Sequence, residues 1–319
     1  MESYIHGDFR KFWSFWSGIL NSLISRPLAC FEFLVFSSLY LSLAAAGMAW
    51  CSCTFQGIAC SLPITLVLSL VVFSVYNLNR KTDQAEDALN HQRRFSFTRR
   101  FERPLFIAAL GSYTLAAAIA LVSGALPALT AVMIPLTCGI VYSARIFPSR
   151  YRVRRLKEIP LVKNILVSIA WGATFALIPV TFSRLPPDQN TLLVFLFIFS
   201  WTFIASVLPD IRDMEGDFQV GVVTIPVVLG ITKTKVLLTA VNLVAGTVVI
   251  TMGVPTQPRV SAVLLICSLA YSQACILAMD RTGTADFLCD VVSDGQFLVL
   301  GALFLAVTSL GLPLMTIAF

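Results

Sequence analysis

Histidine is almost absent from this chain: His6 and His91 are the only two among 319 residues. Two imidazoles so far apart leave no histidine-based metal centre and no Ser-His-Asp relay. Charge is scarce too, at 13% of residues against 57% hydrophobic, and mean hydropathy is +0.83, which excludes an ordinary soluble domain. The net charge of +6 does not read as a nucleic-acid surface, which needs basic residues interleaved with aromatics on a solvated face. Eight cysteines lie mostly inside apolar runs (Cys30, Cys60, Cys138, Cys267, Cys275), where a thiol behaves as a small soft hydrophobe. Cys51 and Cys53, placed on the outer side, make only a weak metal or disulfide signal. The first 25 residues are interrupted by charge and lack a small-residue cleavage site, so no cleavable signal peptide is expected.

What the chain has instead is apolar length. A membrane-spanning helix needs about 20 mostly apolar residues, and nine such runs occur, near 28–50, 57–78, 104–124, 126–143, 160–180, 191–209, 235–253, 259–279 and 296–317. The third and fourth are divided only by a Gly-Ala-Leu-Pro turn at Gly124. Counting alternate sides assigns 21 of the 23 Lys and Arg residues to one face, leaving Arg184 and Arg259 on the other. Positive charge stays inside, so the amino terminus is placed on the cytoplasmic side (of the cell membrane, in a prokaryote). The expected fold is all-α and polytopic, one transmembrane helical domain over 1–319. Within it, 1–25 is an interfacial lead-in, 26–143 a first four-helix half, 144–279 a second, and 280–319 a loop and ninth helix. Residues 9–25 mix aromatics with Arg10 and Lys11, as a helix lying on the inner leaflet does.

Two acidic clusters stand at the inner ends of even-numbered runs. After the second run come Asn79, Asp83 and Asp87, spaced i, i+4 and i+8, which drift only about 40° per step along one helical stripe. After the sixth come Asp210, Asp213 and Asp217, spaced i, i+3 and i+7, again one stripe. Each is also readable as a solvated helix end offset by nearby cations. Five aspartates facing one another at a membrane surface would repel unless cations and an anion stood between them. Carboxylates and an Asn carbonyl are hard oxygen ligands of the kind Mg²⁺ takes while it bridges to substrate phosphates. Arginines between 88 and 103, Arg93 among them, follow the positive-inside bias; one or two of them could offer a bidentate fork to phosphate. Lys163 and Asn164 follow Pro160 inside an apolar run, where a polar group faces a bundle interior or an aqueous cavity. A third series, Asp286, Asp290 and Asp294 at i+4 spacing, reads as solvated acids on an inner loop.

These residues carry a resemblance. Asn79-x-x-x-Asp83-x-x-x-Asp87 is similar to the first motif of the UbiA-type intramembrane prenyltransferases. The stretch Asp210-x-x-Asp213-x-Glu215-Gly216-Asp217, followed by Gly221-x-x-Thr224-x-Pro226, resembles their second. Arg26-Pro27, Tyr142-Ser143, Arg155-Leu156-Lys157, Lys163-Asn164 and Trp171-Gly172 resemble further family stretches, so the likeness covers about residues 26–235. It implies nine helices around a central cavity capped on the motif side. It also implies one Mg²⁺ on Asn79, Asp83 and Asp87 and a second on Asp210, Asp213 and Asp217, with Asp83, Asp87, Asp210 and Asp213 central to catalysis. Tyr142, Arg145, Lys157 and Lys163 would contact a prenyl diphosphate, joined by Arg80, Arg93 and Arg212 as further cationic candidates. Many members carry an acid directly after the first Asn, where this chain has Arg80. That neighbourhood abuts the acceptor, so the usual aromatic acid or quinone precursor does not follow from the resemblance.

Three readings compete. The first is prenyl transfer to a lipophilic acceptor: an aromatic, a quinone precursor, a polyene or a glycerol lipid. The second is a terpene cyclase of the same family, which quenches the cation within its own chain. The third is an ion-coupled transporter, which would place its acids near mid-bilayer rather than at helix ends.

Overall fold

The structure, a computed structural model, describes residues 29–82, 88, 91–144, 156, 159–219, 222–253, 259–280 and 283–309. The expected interfacial segment 9–25 and the Arg26-Pro27 opening lie outside them. Every regular element among the described residues is helical. The first apolar run is bent by 64° between α1 (Ala29–Phe36) and α2 (Leu39–Phe55). Ser38 turns through the left-handed region at the break (φ 65°). The carbonyls freed at the bend find donors on α3 (Leu62–Thr82): Asn77 Nδ2 donates to Ser37 O at 3.0 Å, and Arg80 donates to the Phe36 carbonyl. Cys51 and Cys53 are free and buried in the last turns of α2, because the helix continues beyond the expected end at 50.

After α4 (Gln92–Arg100) comes α5 (Glu102–Ser143), 42 residues long. At about 1.5 Å per residue that would exceed a bilayer's hydrocarbon core twofold. The helix in fact doubles back at Ala125 (φ 57°, ψ −159°). The Tyr113 hydroxyl donates to the Val132 carbonyl at 2.7 Å across the two arms, a contact impossible along a straight rod. A Cβ at Gly124 would stand 2.4 Å from the Ala128 Cβ, so the turn takes glycine there. The expected division at Gly124 is thus the hairpin corner.

The second half has α6 (Val162–Phe182), α7 (Gln189–Arg212), short α8 (Met214–Gln219) and α9 (Ile225–Leu229), then α10 (Ile231–Gly253) and α11 (Arg259–Ala278). A helical turn (Ala285–Phe287) runs into a π-helical segment (Leu288–Ser293) and on to α12 (Gln296–Ser309). α7 starts at a capping box: Asp188 accepts from the Thr191 amide at 2.9 Å while Thr191 Oγ1 accepts from the Asp188 amide. Six of these helices are long and apolar enough to cross a membrane, seven if the bent α1–α2 pair is one span; the protein is a multi-pass membrane protein. Large apolar side chains such as Val122, Leu62 and Ile107 point outward, toward lipid rather than water.

Neighbouring helices form a closed ring, α2–α3–α5–α6–α7–α10–α11–α12, with α12 returning to α2. One core lies between α2, α3, α5, α6, α7 and α12, with Phe55, Phe175, Phe197 and Phe297 filling it. A second gathers Val207, Leu208, Ile211, Ile276 and Met279 below the ends of α7 and α11. The ring closes where two glycines meet: a Cβ on Gly47 would be 2.2 Å from the Phe297 carbonyl oxygen, and one on Gly301 would be 2.7 Å from the Gly47 Cα. Small residues permit such backbone approach in membrane helices. Gly47→Ala should therefore lower the thermal midpoint in detergent, at a cost of about 1–3 kcal/mol from overpacking. Gly111→Ala, which meets nothing within 4 Å, should not. An unchanged midpoint for Gly47→Ala would contradict this ring closure.

Candidate active site

Antiparallel succession brings the carboxyl end of α3, the amino end of α6 and the carboxyl end of α7 to one end of the ring. A cavity of about 350 Å³ opens there. Asn79 and Arg80 reach it from α3, Arg94 from α4, Lys163 from α6, and Asp210, Arg212 and Asp213 from the end of α7. Asn79 of the first motif and Asp210 and Asp213 of the second thus line a single hollow. Pro209, in the last turn of α7, offers no N–H to the Ala205 carbonyl one turn back, and both residues line the cavity.

Asp210 is buried and held from α6. Lys163 Nζ lies 2.5 Å from its Oδ1, and Asn164 Nδ2 donates to its Oδ2 at 3.2 Å. Leu161 enters α6 through the left-handed region (φ 69°), a conformation a bulky residue adopts only at a cost, two positions before Lys163. Asp213 accepts from Arg212 Nε at 2.8 Å, and His91 Nε2 lies 3.2 Å from its Oδ2. Burial pushes the Asp213 carboxyl up, but hydrogen bonds and charge from His91 and Arg212 outweigh it and hold it well below the usual carboxylate range. Arg212 also donates to Asp290 Oδ1 at 3.0 Å. Its Nη2 sits 2.9 Å from His91 Nε2.

The expected mutual repulsion of the acids is therefore met in part by the chain itself. Among the described lining residues, Asp210, Asp213, Asp290 and Asp294 face Arg80, Arg94, Lys163 and Arg212. Asp217 is buried one turn beyond Asp213 and does not line the cavity. Arg93 is a correction: it is exposed and pairs with Glu32 at 2.7 Å, while the next residue, Arg94, faces inward. One helical step of 100° separates the two directions. The third acidic series is a second correction. Asp286 is 73% exposed, as a solvated acid should be, but Asp290 is only 22% exposed, and Asp294 lines the cavity. His91, Arg94, Asp290 and Asp294 are the site residues that sequence reasoning missed. Asp83, Asp87, Arg145 and Lys157 lie outside the described residues, as does the side chain of Tyr142.

Two apolar spaces adjoin the polar one. A recess of about 80 Å³ lies toward α2 and α12, walled by Met48, Phe175, Trp201 and Phe297. A groove of about 440 Å³ between α3 and α5 carries Leu78, Phe106, Leu136 and Ile140, with Asn79 at its edge. Tyr76 and Trp171, stacked at 5.9 Å, form a wall shared by cavity and recess. A polar chamber whose described acids and cations are matched, adjoining apolar spaces, suits a ligand with an anionic head and a hydrocarbon tail. The described residues include no group of three or more acids, histidines or cysteines close enough to hold a metal ion by themselves. Even so, Asn79, Asp210 and Asp213 are hard oxygen donors that fit Mg²⁺ bridged to a phosphate oxygen.

Comparison with known proteins gives a consistent result. Residues 39–300 match the model of the UbiA prenyltransferase family. A digeranylgeranylglyceryl phosphate synthase from Methanothrix thermoacetophila is 31% identical over 134 residues, 41% of this chain and 48% of that one. Its counterpart from Methanothermobacter thermautotrophicus is 27% identical over 185 residues, 57% of this chain and 61% of that one. The chain thus spans about half the length of the curated relatives it matches. A UbiA homologue from Archaeoglobus fulgidus, solved bound to DMAPP and Mg²⁺, superposes with a TM-score of 0.60 at 17% identity, over 87% of this chain and 99% of that one. At that identity the likeness speaks for the fold.

The Arg212 pairings predict a stability difference. Arg212→Met would leave Asp213 and Asp290 without their shared cation and should cost about 3–5 kcal/mol. Arg93→Ala, at an exposed pair, should cost less than about 1 kcal/mol. Because Asp213 is held below its ordinary value, its contribution is complete above the unfolded-state pKa near ~4 and is lost as pH falls through the lower folded value. The gap between wild type and Arg212→Met should therefore narrow on acidification. Chemical denaturation in detergent at neutral and acidic pH measures it; a gap independent of pH would contradict the pairing.

Proposed function

Because the chain belongs to the UbiA prenyltransferase family, we propose that it is a Mg²⁺-dependent enzyme moving an isoprenoid group from a prenyl diphosphate to a lipophilic acceptor. The observation that carries this reading is the meeting of Asn79 with Asp210 and Asp213 in one cavity that also holds Lys163, Arg80, Arg94 and Arg212. Asn79, Asp83 and Asp87 would hold one Mg²⁺, and Asp210, Asp213 and Asp217 a second. When bound, Mg²⁺ supplies neutralisation of the charge that builds on the departing diphosphate. Lys163, Arg80 and Arg212, with Tyr142, Arg145 and Lys157, orient the diphosphate by donating to its oxygens. The stacked faces of Tyr76 and Trp171 offer π density to an allylic cation and keep water from it. The presence of apolar space on both sides of the polar chamber favours transfer between two lipophilic partners over cyclisation of one.

A hydroxyl acceptor on a glyceryl phosphate lipid is the first to test. The relatives named as digeranylgeranylglyceryl phosphate synthases support it. A product with two geranylgeranyl groups on one glyceryl phosphate is what prenylation of the singly substituted lipid would yield. The same reading takes the chain as one transmembrane domain of nine spans, with α5 counted twice at its hairpin, and with the amino terminus and cavity on the cytoplasmic side.

The purified protein should convert geranylgeranyl diphosphate and geranylgeranylglyceryl phosphate to the doubly prenylated lipid, and chelation of Mg²⁺ should stop it. Asp83→Ala or Asp210→Ala should lower turnover by about 10²–10³-fold or more while the protein stays folded in detergent. Full activity in both variants would overturn the assignment. Hydrocarbon release without acceptor would favour the cyclase reading.

A further inference from the structure

We propose that Asp294 is a catalytic base of this chain: it takes the proton of the acceptor hydroxyl at the neck between the polar cavity and the apolar recess. The inference rests on the transfer reading above. Among the described residues Asp294 is the carboxylate that lines both spaces, whereas Asp210 and Asp213 line the polar cavity without reaching the recess. Leu41, Tyr76, Trp171 and Ser206 share the neck with it. The other cavity acids are engaged: Asp210 by Lys163 and Asn164, Asp213 by Arg212, Asp290 by Arg212. Among the described residues the Asp294 carboxylate makes no hydrogen bond or ion pair within the chain.

Its position is built rather than incidental. It follows the π-helical segment Leu288–Ser293, a geometry that is rare and concentrated at functional sites. The Tyr40 hydroxyl donates to the Val291 carbonyl at 3.0 Å, and the Tyr271 hydroxyl to the Val292 carbonyl at 2.7 Å, so two tyrosines from different helices pin the turn. Gly295 leaves room for this, since a Cβ there would lie 2.2 Å from the Tyr40 hydroxyl. Gln296 is buried and bonded to Ser268 and Trp201. The wider turn also breaks the i+4 stripe, leaving Asp286 in solvent while Asp294 turns inward.

The groups facing Asp294 are Asp290 from its own turn, Arg212 from α7, Arg94 from α4, Arg80 and Tyr76 from α3, and Tyr40 from α2. Burial first, then the negative charge of Asp290, pushes its carboxyl up to about 7, against the partial offset of the three arginines. A base is most effective when its pKa lies near the working pH. The step balances. The bond from the prenyl C1 to the diphosphate oxygen breaks, and its electron pair leaves with the diphosphate. A lone pair of the acceptor hydroxyl forms the new C1–O bond, and the hydroxyl proton passes to the Asp294 carboxylate and on to water.

The test uses the full chain in detergent with Mg²⁺, geranylgeranyl diphosphate and geranylgeranylglyceryl phosphate. Asp294→Asn should bind geranylgeranyl diphosphate within about twofold of wild type, transfer about 10²-fold more slowly, and lose the rise of kcat with pH through neutrality. Asp294→Glu should recover part of the rate. In Asp290→Asn, removal of the neighbouring charge should move that rise to lower pH, which keeps the idea testable if Asp294→Asn does not fold. Transfer by Asp294→Asn at the wild-type rate with the wild-type pH profile would overturn the inference, as would an unmoved rise in Asp290→Asn. If Asp210→Ala is inactive while Asp294→Asn is unaffected, only this inference fails. No transfer by the wild type would overturn both.

Discussion

The pairing of Asp210 with Lys163 and of Asp213 with Arg212 is what the site depends on. A carboxylate at the end of an apolar helix cannot be left without a cation, because its desolvation is worth several kcal/mol in real proteins. Asp210 and Asp213 each have such a partner: Lys163 arrives from the neighbouring helix, and Arg212 precedes Asp213 by one residue. These contacts tie the start of α6 to the end of α7, and through Asp290 they reach the turn before α12. Among the described residues the chamber is thus near charge balance before any ligand enters. A diphosphate with its metal ions would exchange one set of ion pairs for another, rather than bring charge into an empty apolar space.

The ring of helices explains how distant sequence segments share that chamber. Successive helices pack in order around the hollow, so alternate helix ends return to the same side. Closure through Gly47 and Gly301 brings the segment before α12 alongside α2 and α3. Tyr40 and Tyr271 then fix the π-helical turn, and the third acidic series becomes part of the wall. That placement is a consequence of ring closure, and no local rule would supply it.

Much of this was legible in the residues. The i, i+3 spacing of Asp210 and Asp213, the corner at Gly124, and the polar pair Lys163-Asn164 inside an apolar run each rest on local periodicity or on the cost of polar groups in a membrane. All three reappear in the structure where those rules place them. Arg93 and Arg94 were not separable, because positive-inside bias accounts for every arginine in that loop and the inward face depends on the start and phase of α4. Asp294 was hidden for a different reason. An i+4 stripe presumes α-helical turns, and a π-helical segment breaks the phase that would have kept it with solvated Asp286. His91 carries no local signal of its role, because its contact with Asp213 is tertiary.

The central claim is that the two motif-bearing helix ends bind one diphosphate together through divalent ions. Calorimetric titration with a non-ionising geranylgeranyl thiodiphosphate addresses it most directly, for wild type and for Asp210→Asn, with and without Mg²⁺. The account predicts binding by the wild type only when Mg²⁺ is present, and weaker binding by at least about tenfold, some 1.4 kcal/mol, in the variant. Equal binding by both proteins in the absence of Mg²⁺ would contradict it.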